Sequence, residues 1–170
     1  VIAVALPSAH EETDPSFHHH PADSLPLVDR DGNQLRVLAG EAYGASSPVH
    51  VLSPLFYVEA FLSAGGTLNL PDDYAERALY VVEGAVSCGP ERASPGRMLI
   101  FETGRAIRIS AEHGARVMLF GGEPLDGELH IWWNFVSSST DRIEKARHDW
   151  QAGLFPTVPG DEREFIPAPH

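Results

Sequence analysis

Between Gly65 and Gly84 the chain reads GGTLNLPDDYAERALYVVEG, and its loop gathers Asp72, Asp73, Glu76 and Arg77. Carboxylates this close could hold a divalent cation if imidazoles joined them. Such a set suits Fe(II), Mn(II) or Ni(II) and leaves positions open for substrate or dioxygen. The imidazoles lie elsewhere: His18, His19 and His20 are consecutive, and no histidine stands between His50 and His113. Adjacent residues of an extended segment point alternately, so only His18 and His20 could share a face. A metal centre would then need those two with Asp73 and Glu76, or with His10 or a partner subunit. The reading adopted is plainer. Asp72, Asp73 and Glu76 are solvated loop charges, and the histidine run binds nickel or zinc adventitiously.

Other reactive residue types point to no site. Cys88 is the sole cysteine and ends a strand, so it is expected to be a small buried hydrophobe. One cysteine makes neither a disulfide framework nor a thiolate cluster, and a reducing, cytosolic setting fits. Ser137–Ser139 have no base or oxyanion hole marked beside them and serve better as helix caps. Ser138 with Asp141 resembles a capping box. Trp132 and Trp133, adjacent on a strand, should face opposite ways. Gly121-Gly122-Glu123-Pro124 lacks the lysine of a phosphate-cradling loop.

The elements that must position these residues are short strands. Leu27–Arg30 and Gln34–Ala39 flank an Asp31-Gly32 turn signal. Leu55–Leu62 alternates, with Phe56, Val58, Ala60 and Leu62 on one face and Glu59 on the other. Thr67–Leu70, Ala78–Val82, Ala85–Cys88, Met98–Phe101 (a buried strand), Ala106–Ser110 and Arg116–Phe120 follow, with turn residues between them. This spacing implies an all-β sandwich or barrel. Val1–Leu6 reads as a strand covered on both faces, and residues 7–26 as an irregular connection. Ile131–Val136 is an aromatic strand. Beyond it Ile143, Ala146 and Trp150 make one helix stripe, Asp141 pairs with Lys145, and Gly153 stops the helix. The division expected is 1–26, a strand and extended linker; 27–125, the barrel; and 126–170, an aromatic strand, helix and tail packed on it.

Bulk properties exclude some functions. With 170 residues, 43% of them hydrophobic, the chain can bury one core. Its net charge is -12 and Lys145 is the single lysine. A chain without a basic stripe releases few counterions, so neither nucleic acid nor an anionic membrane is an expected partner. No apolar run approaches the ~20 residues of a membrane span.

Gly65 and Gly84 are spaced like the glycines of the first cupin motif, and Gly89 and Pro95 resemble the start of the second. On that frame the metal-ligand positions fall on Pro71, Asp73 and Arg77 (Leu70 or Asp72, and Glu76, if slid by one), and on apolar Ile100. Further on, GGEPLDGELHIWWNFVSSSTDRIEKARHDW is similar to the C-terminal end of bacterial pirin-like proteins. VALPSAHEETDPSFHHHPADSLPLV resembles the segment joining the two halves of a pirin, and LFYVEAFLSAGGTLNLP and ALYVVEGAV its second cupin. The resemblance implies a jelly-roll cupin, a double-stranded β-helix, with one C-terminal helix. It also implies a bicupin parent whose iron sits in the N-terminal barrel, on a His-Pro-His and a His-x-Glu pair. Here the nearest counterparts are Leu70 and Asp72, then Ile109 and Ala111, so no ligand carries over.

The chain starts at Val1 without methionine and is expected to be a piece of a longer protein, its iron-binding N-terminal cupin absent. It is then a metal-free, cofactor-free C-terminal domain with a structural or interaction role, and by itself no enzyme. The family's quercetin 2,3-dioxygenase activity and transcription coregulation would belong to the two-domain parent. The alternatives are a metal-dependent oxygenase using His18, His20 and barrel carboxylates, and an interaction module for transcription machinery. The partners expected are the N-terminal cupin and, through the apolar first strand, further copies of the chain.

Overall fold

The structure is a computed structural model and describes residues 2–157, 160 and 163–169. These fall into two compact units, Asp14–Pro124 and Val1–Thr13 with Leu125–His170.

The larger unit is built from eleven strands. In chain order they are β1 (Leu27–Arg30), β2 (Asn33–Ala42), β3 (Ala45–Ser46), β4 (Leu55–Leu62), β5 (Gly66–Asn69) and β6 (Glu76–Gly84). Then come β7 (Val86–Cys88), β8 (Glu91–Ala93), β9 (Met98–Phe101), β10 (Arg108–Ala111) and β11 (Ala115–Gly122). One sheet runs β1-β2-β4-β11-β6-β9, with β3 paired to β2; the other runs β5-β10-β7-β8. All the pairings are antiparallel.

Alternation explains the burial. Phe56, Val58, Ala60 and Leu62 of β4 face inward, as do Leu79 and Val81 of β6 and Val117 and Leu119 of β11. They meet Leu68, Val86, Cys88 and Ile109 of the second sheet in one core. The turn at Asp31-Gly32 has positive φ at both residues, as a two-residue hairpin of this twist requires.

One expectation fails here. Met98–Phe101 is an edge strand rather than a buried one, with Met98 51% and Ile100 80% exposed. A run of apolar residues cannot say whether a strand has one neighbour or two. The second face of β9 is uncovered among the described residues. Glu59 is on the opposite face, as expected, and is covered there by two arginines. Arg116 Nε donates to it at 2.9 Å, and Arg36 lies 3.7 Å away.

In the smaller unit, Ile2–Leu6 form no strand, and Val1 lies outside the described residues. The connecting segment is also not wholly irregular: 3-10 turns occupy Ser8–His10 and Ala22–Ser24, the second in the larger unit. Ile131–Val136 is not one strand but a hairpin, β12 (His130–Trp132) and β13 (Phe135–Ser137). Trp133 takes φ 52 in its turn, which breaks strand alternation. Both tryptophans therefore enter one aromatic cluster instead of facing apart. Trp132 stacks on Phe135 at 6.1 Å, and Trp133 meets Trp150 edge-on at 5.2 Å.

The helix α1 (Thr140–Gln151) is capped by Ser139, which accepts from the Arg142 amide at 3.4 Å. Lys145 pairs with Asp149 rather than with Asp141. Gly153, at φ 68, follows its end as expected.

Ser137 and Ser138 are engaged by a residue far back in the chain. Glu11 accepts from the Ser138 amide at 2.8 Å and from both hydroxyls at 3.0 and 3.1 Å. Chiefly through the Ser138 amide, these bonds hold its carboxyl below the ordinary 4.5, against the opposing effect of burial. A lowered folded-state pKa means the contact is fully formed above 4.5 and lost as pH falls through the folded value. Hydrogen exchange at the Ser138 amide should therefore lose protection as pH drops below 4.5, with little change above it. Unchanged protection down to acid pH would show that the Glu11 contact does not hold this segment.

Candidate functional site

Gly65 and Gly84, the two frame glycines, both adopt left-handed backbone, φ 73 and 75. Gly65 lies in the turn from β4 into β5, and Gly84 ends β6 before β7. Along β6, Arg77 shares the inward face of Leu79 and Val81, and it is only 2% exposed. Its guanidinium donates to three carbonyls: Pro71 at 3.3 Å, Glu102 at 3.2 Å and Arg105 at 2.8 Å. Among the described residues its Nε has no hydrogen-bond partner. One side chain thus ties the β5–β6 loop to the β9–β10 loop at one end of the core.

A cleft of about 550 Å³ opens beside it. Tyr43, Leu70, Pro71 and Ile107 line it, with Arg30, Asn69, Asp72, Asp73 and Arg108 around them. Tyr43 sits at φ 54 in the β2–β3 turn and donates to the Asn69 carbonyl at 2.9 Å. Burial raises the pKa of this phenol, and the Arg30 charge pulls the other way. Tyr74 donates to the Glu41 carbonyl at 2.9 Å, and its pKa is also raised, by burial first and then by Glu41 and Asp73.

Of the metal-ligand candidates, Asp73 lies on this cleft and Glu76 does not. Both are exposed. His18 and His19 are exposed and His20 half-buried in the segment before β1. Among the described residues no three His, Cys, Asp or Glu side chains form a group that could hold a metal ion. Ile100, at the second-motif position, points outward from the edge strand. Cys88 is buried, as expected, and burial pushes its thiol up to about 11.

In the sequence Arg77 stands out only as a mismatch to the motif. Its parity with Leu79 and Val81 was the available sign that it points inward. Arg30, Tyr43 and Arg108 were missed as cleft residues. Each is unremarkable in its own strand or turn, and only the fold brings them together.

Two facing antiparallel sheets joined through these glycine turns make a cupin fold. Residues 57–156 match the family model for the pirin C-terminal cupin domain. A pirin-like protein of Caulobacter vibrioides is 48% identical over 168 residues, covering 98% of this chain and 58% of that protein. Human pirin is 24% identical over 155 residues, covering 87% of this chain and 53% of that protein. The crystal structure of quercetin 2,3-dioxygenase from Acinetobacter baumannii aligns with a TM-score of 0.88 at 31% identity, covering 98% of this chain and 56% of that one. The chain belongs to the pirin family. It spans little more than half the length of these relatives.

The iron implied by the resemblance does not fit the motif positions of this chain. Pro71 offers no side-chain donor, and Arg77 puts a permanently cationic group where a carboxylate ligand would stand. No helix is long and apolar enough to cross a membrane among the described residues.

Proposed function

We propose that this chain is the metal-free cupin half of a two-cupin pirin, structural beside an iron-binding N-terminal cupin. Arg77 carries the reading. It is a buried cation at the position of a metal-ligand carboxylate, and its guanidinium is engaged with three backbone carbonyls. On this reading the chain alone is not an enzyme. Dioxygenase chemistry of the kind named for the Acinetobacter baumannii relative would reside in the N-terminal cupin. The chain's contribution is a rigid wall and a docking partner for that half.

Metal content of the untagged, dialysed chain, measured by mass spectrometry, tests the proposal. The expected result is below about a tenth of an equivalent of any transition metal. A stoichiometric content of iron, nickel or manganese would overturn it. His18, His20, Asp73 and Glu76 would then be the first residues to substitute.

A further inference from the structure

The cleft beside Arg77 has an arrangement that a purely structural domain does not require. Its floor is apolar: Leu70 and Ile107 are buried, and the Tyr43 ring is half-buried. Its rim carries four exposed charges, Arg30, Arg108, Asp72 and Asp73. Among the described residues, none of the four takes part in an ion pair.

The two signs are segregated. Arg108 pairs across the sheet with Asn69 and donates to Thr67 Oγ1 at 3.1 Å. Asn33 Nδ2 donates to the carbonyls of both Arg30 and Thr67, at 3.1 and 2.8 Å, which sets Arg30, the last residue of β1, beside β5. Both cations therefore stand at the β5–β10 side. The carboxylates follow Pro71, on the β5–β6 loop. A volume of about 550 Å³ is within the range of small-molecule sites.

We infer that this cleft binds a small zwitterion of the amino-acid type. Its carboxylate faces Arg30 and Arg108, its ammonium faces Asp72 and Asp73, and its side chain covers Leu70 and Ile107. A guanidinium pair suits a carboxylate in geometry as well as charge. Neither a simple anion nor a simple cation satisfies both ends of the rim. The inference does not depend on metal content, so the two proposals can fail separately.

Amide chemical-shift titration of the whole chain with three probes of similar shape tests it. L-phenylalanine has both charges, hydrocinnamate lacks the ammonium and phenethylamine lacks the carboxylate. Shifts are expected at residues 69–73 and 106–108. L-phenylalanine should bind about fivefold more tightly than either analogue, a modest factor because the rim is solvated. Arg108→Gln should abolish the preference over phenethylamine and keep that over hydrocinnamate; Asp73→Asn should do the reverse. Both are exposed positions, so an otherwise unchanged spectrum certifies the fold. Equal binding of L-phenylalanine and either analogue overturns the inference. So do shifts elsewhere, or none at millimolar ligand.

Discussion

Arg77→Met is expected to cost about 3 kcal/mol and lower the melting temperature by on the order of 10 °C. Methionine reproduces the side chain only as far as the Nε position and fills part of its space. What it loses is the guanidinium, and with it the bonds to the carbonyls of Pro71, Glu102 and Arg105. A buried acceptor left without a donor costs roughly 1–3 kcal/mol. Water can rescue part of this, because Glu102 and Arg105 are exposed residues. The Pro71 carbonyl is less accessible, since Pro71 itself is buried. The bare Nε offsets a little, because removing an unsatisfied buried donor is favourable. Arg77→Lys should fall between the two, since an ammonium cannot span three acceptors in a plane. Arg97→Met, at an exposed arginine, is the control and should change stability by less than about 0.5 kcal/mol. If Arg77→Met melts within about 2 °C of the parent, the guanidinium does not hold the two loops together.

The second large effect separates the two frame glycines. Both have positive φ, so alanine at either pays the left-handed penalty of roughly 1–2 kcal/mol. At Gly65 nothing among the described residues lies within 4 Å of the added Cβ, and the penalty should be the whole effect. At Gly84 the Cβ would meet the Gly114 carbonyl oxygen at 2.4 Å and the Ala115 Cα at 2.9 Å. Both obstacles are backbone, and Gly84 pairs with Ala115 where β6 joins β11. The strands must part there, so Gly84→Ala is expected to cost about 4 kcal/mol or more. Chemical denaturation of the two variants measures the difference. Equal losses would mean that only the dihedral angle matters at both sites.

Much of this fold was legible because strand alternation and turn residues are local. Phe56, Val58, Ala60 and Leu62 announced their common face, and the two glycines announced the frame. The parts that misled were those set by neighbours. MLIF is apolar whether one strand or two flank it, so the exposure of Ile100 was invisible. VIAVAL has the composition of a strand, but a strand needs an edge to pair with. Trp133 escaped because a bulky residue at positive φ is not signalled by composition. The candidate site was legible only as a gap in a motif. The carbonyls that engage Arg77 through Glu102 and Arg105 come from 25 and 28 residues away. The cleft's arginines, tyrosine and carboxylates likewise meet only through the pairing of β5 with β10 and the β2–β3 turn.

The aromatic residues are sorted between the two units in a way that gives the molecule two optical labels. Trp132, Trp133 and Trp150, all of its tryptophans, belong to the smaller unit. Tyr43, Tyr57, Tyr74 and Tyr80, all of its tyrosines, belong to the larger. Tryptophan emission therefore follows the hairpin and helix alone, while tyrosine absorbance follows the sandwich. A melt recorded on both signals gives one curve if the units unfold as a single cooperative body and two if they do not.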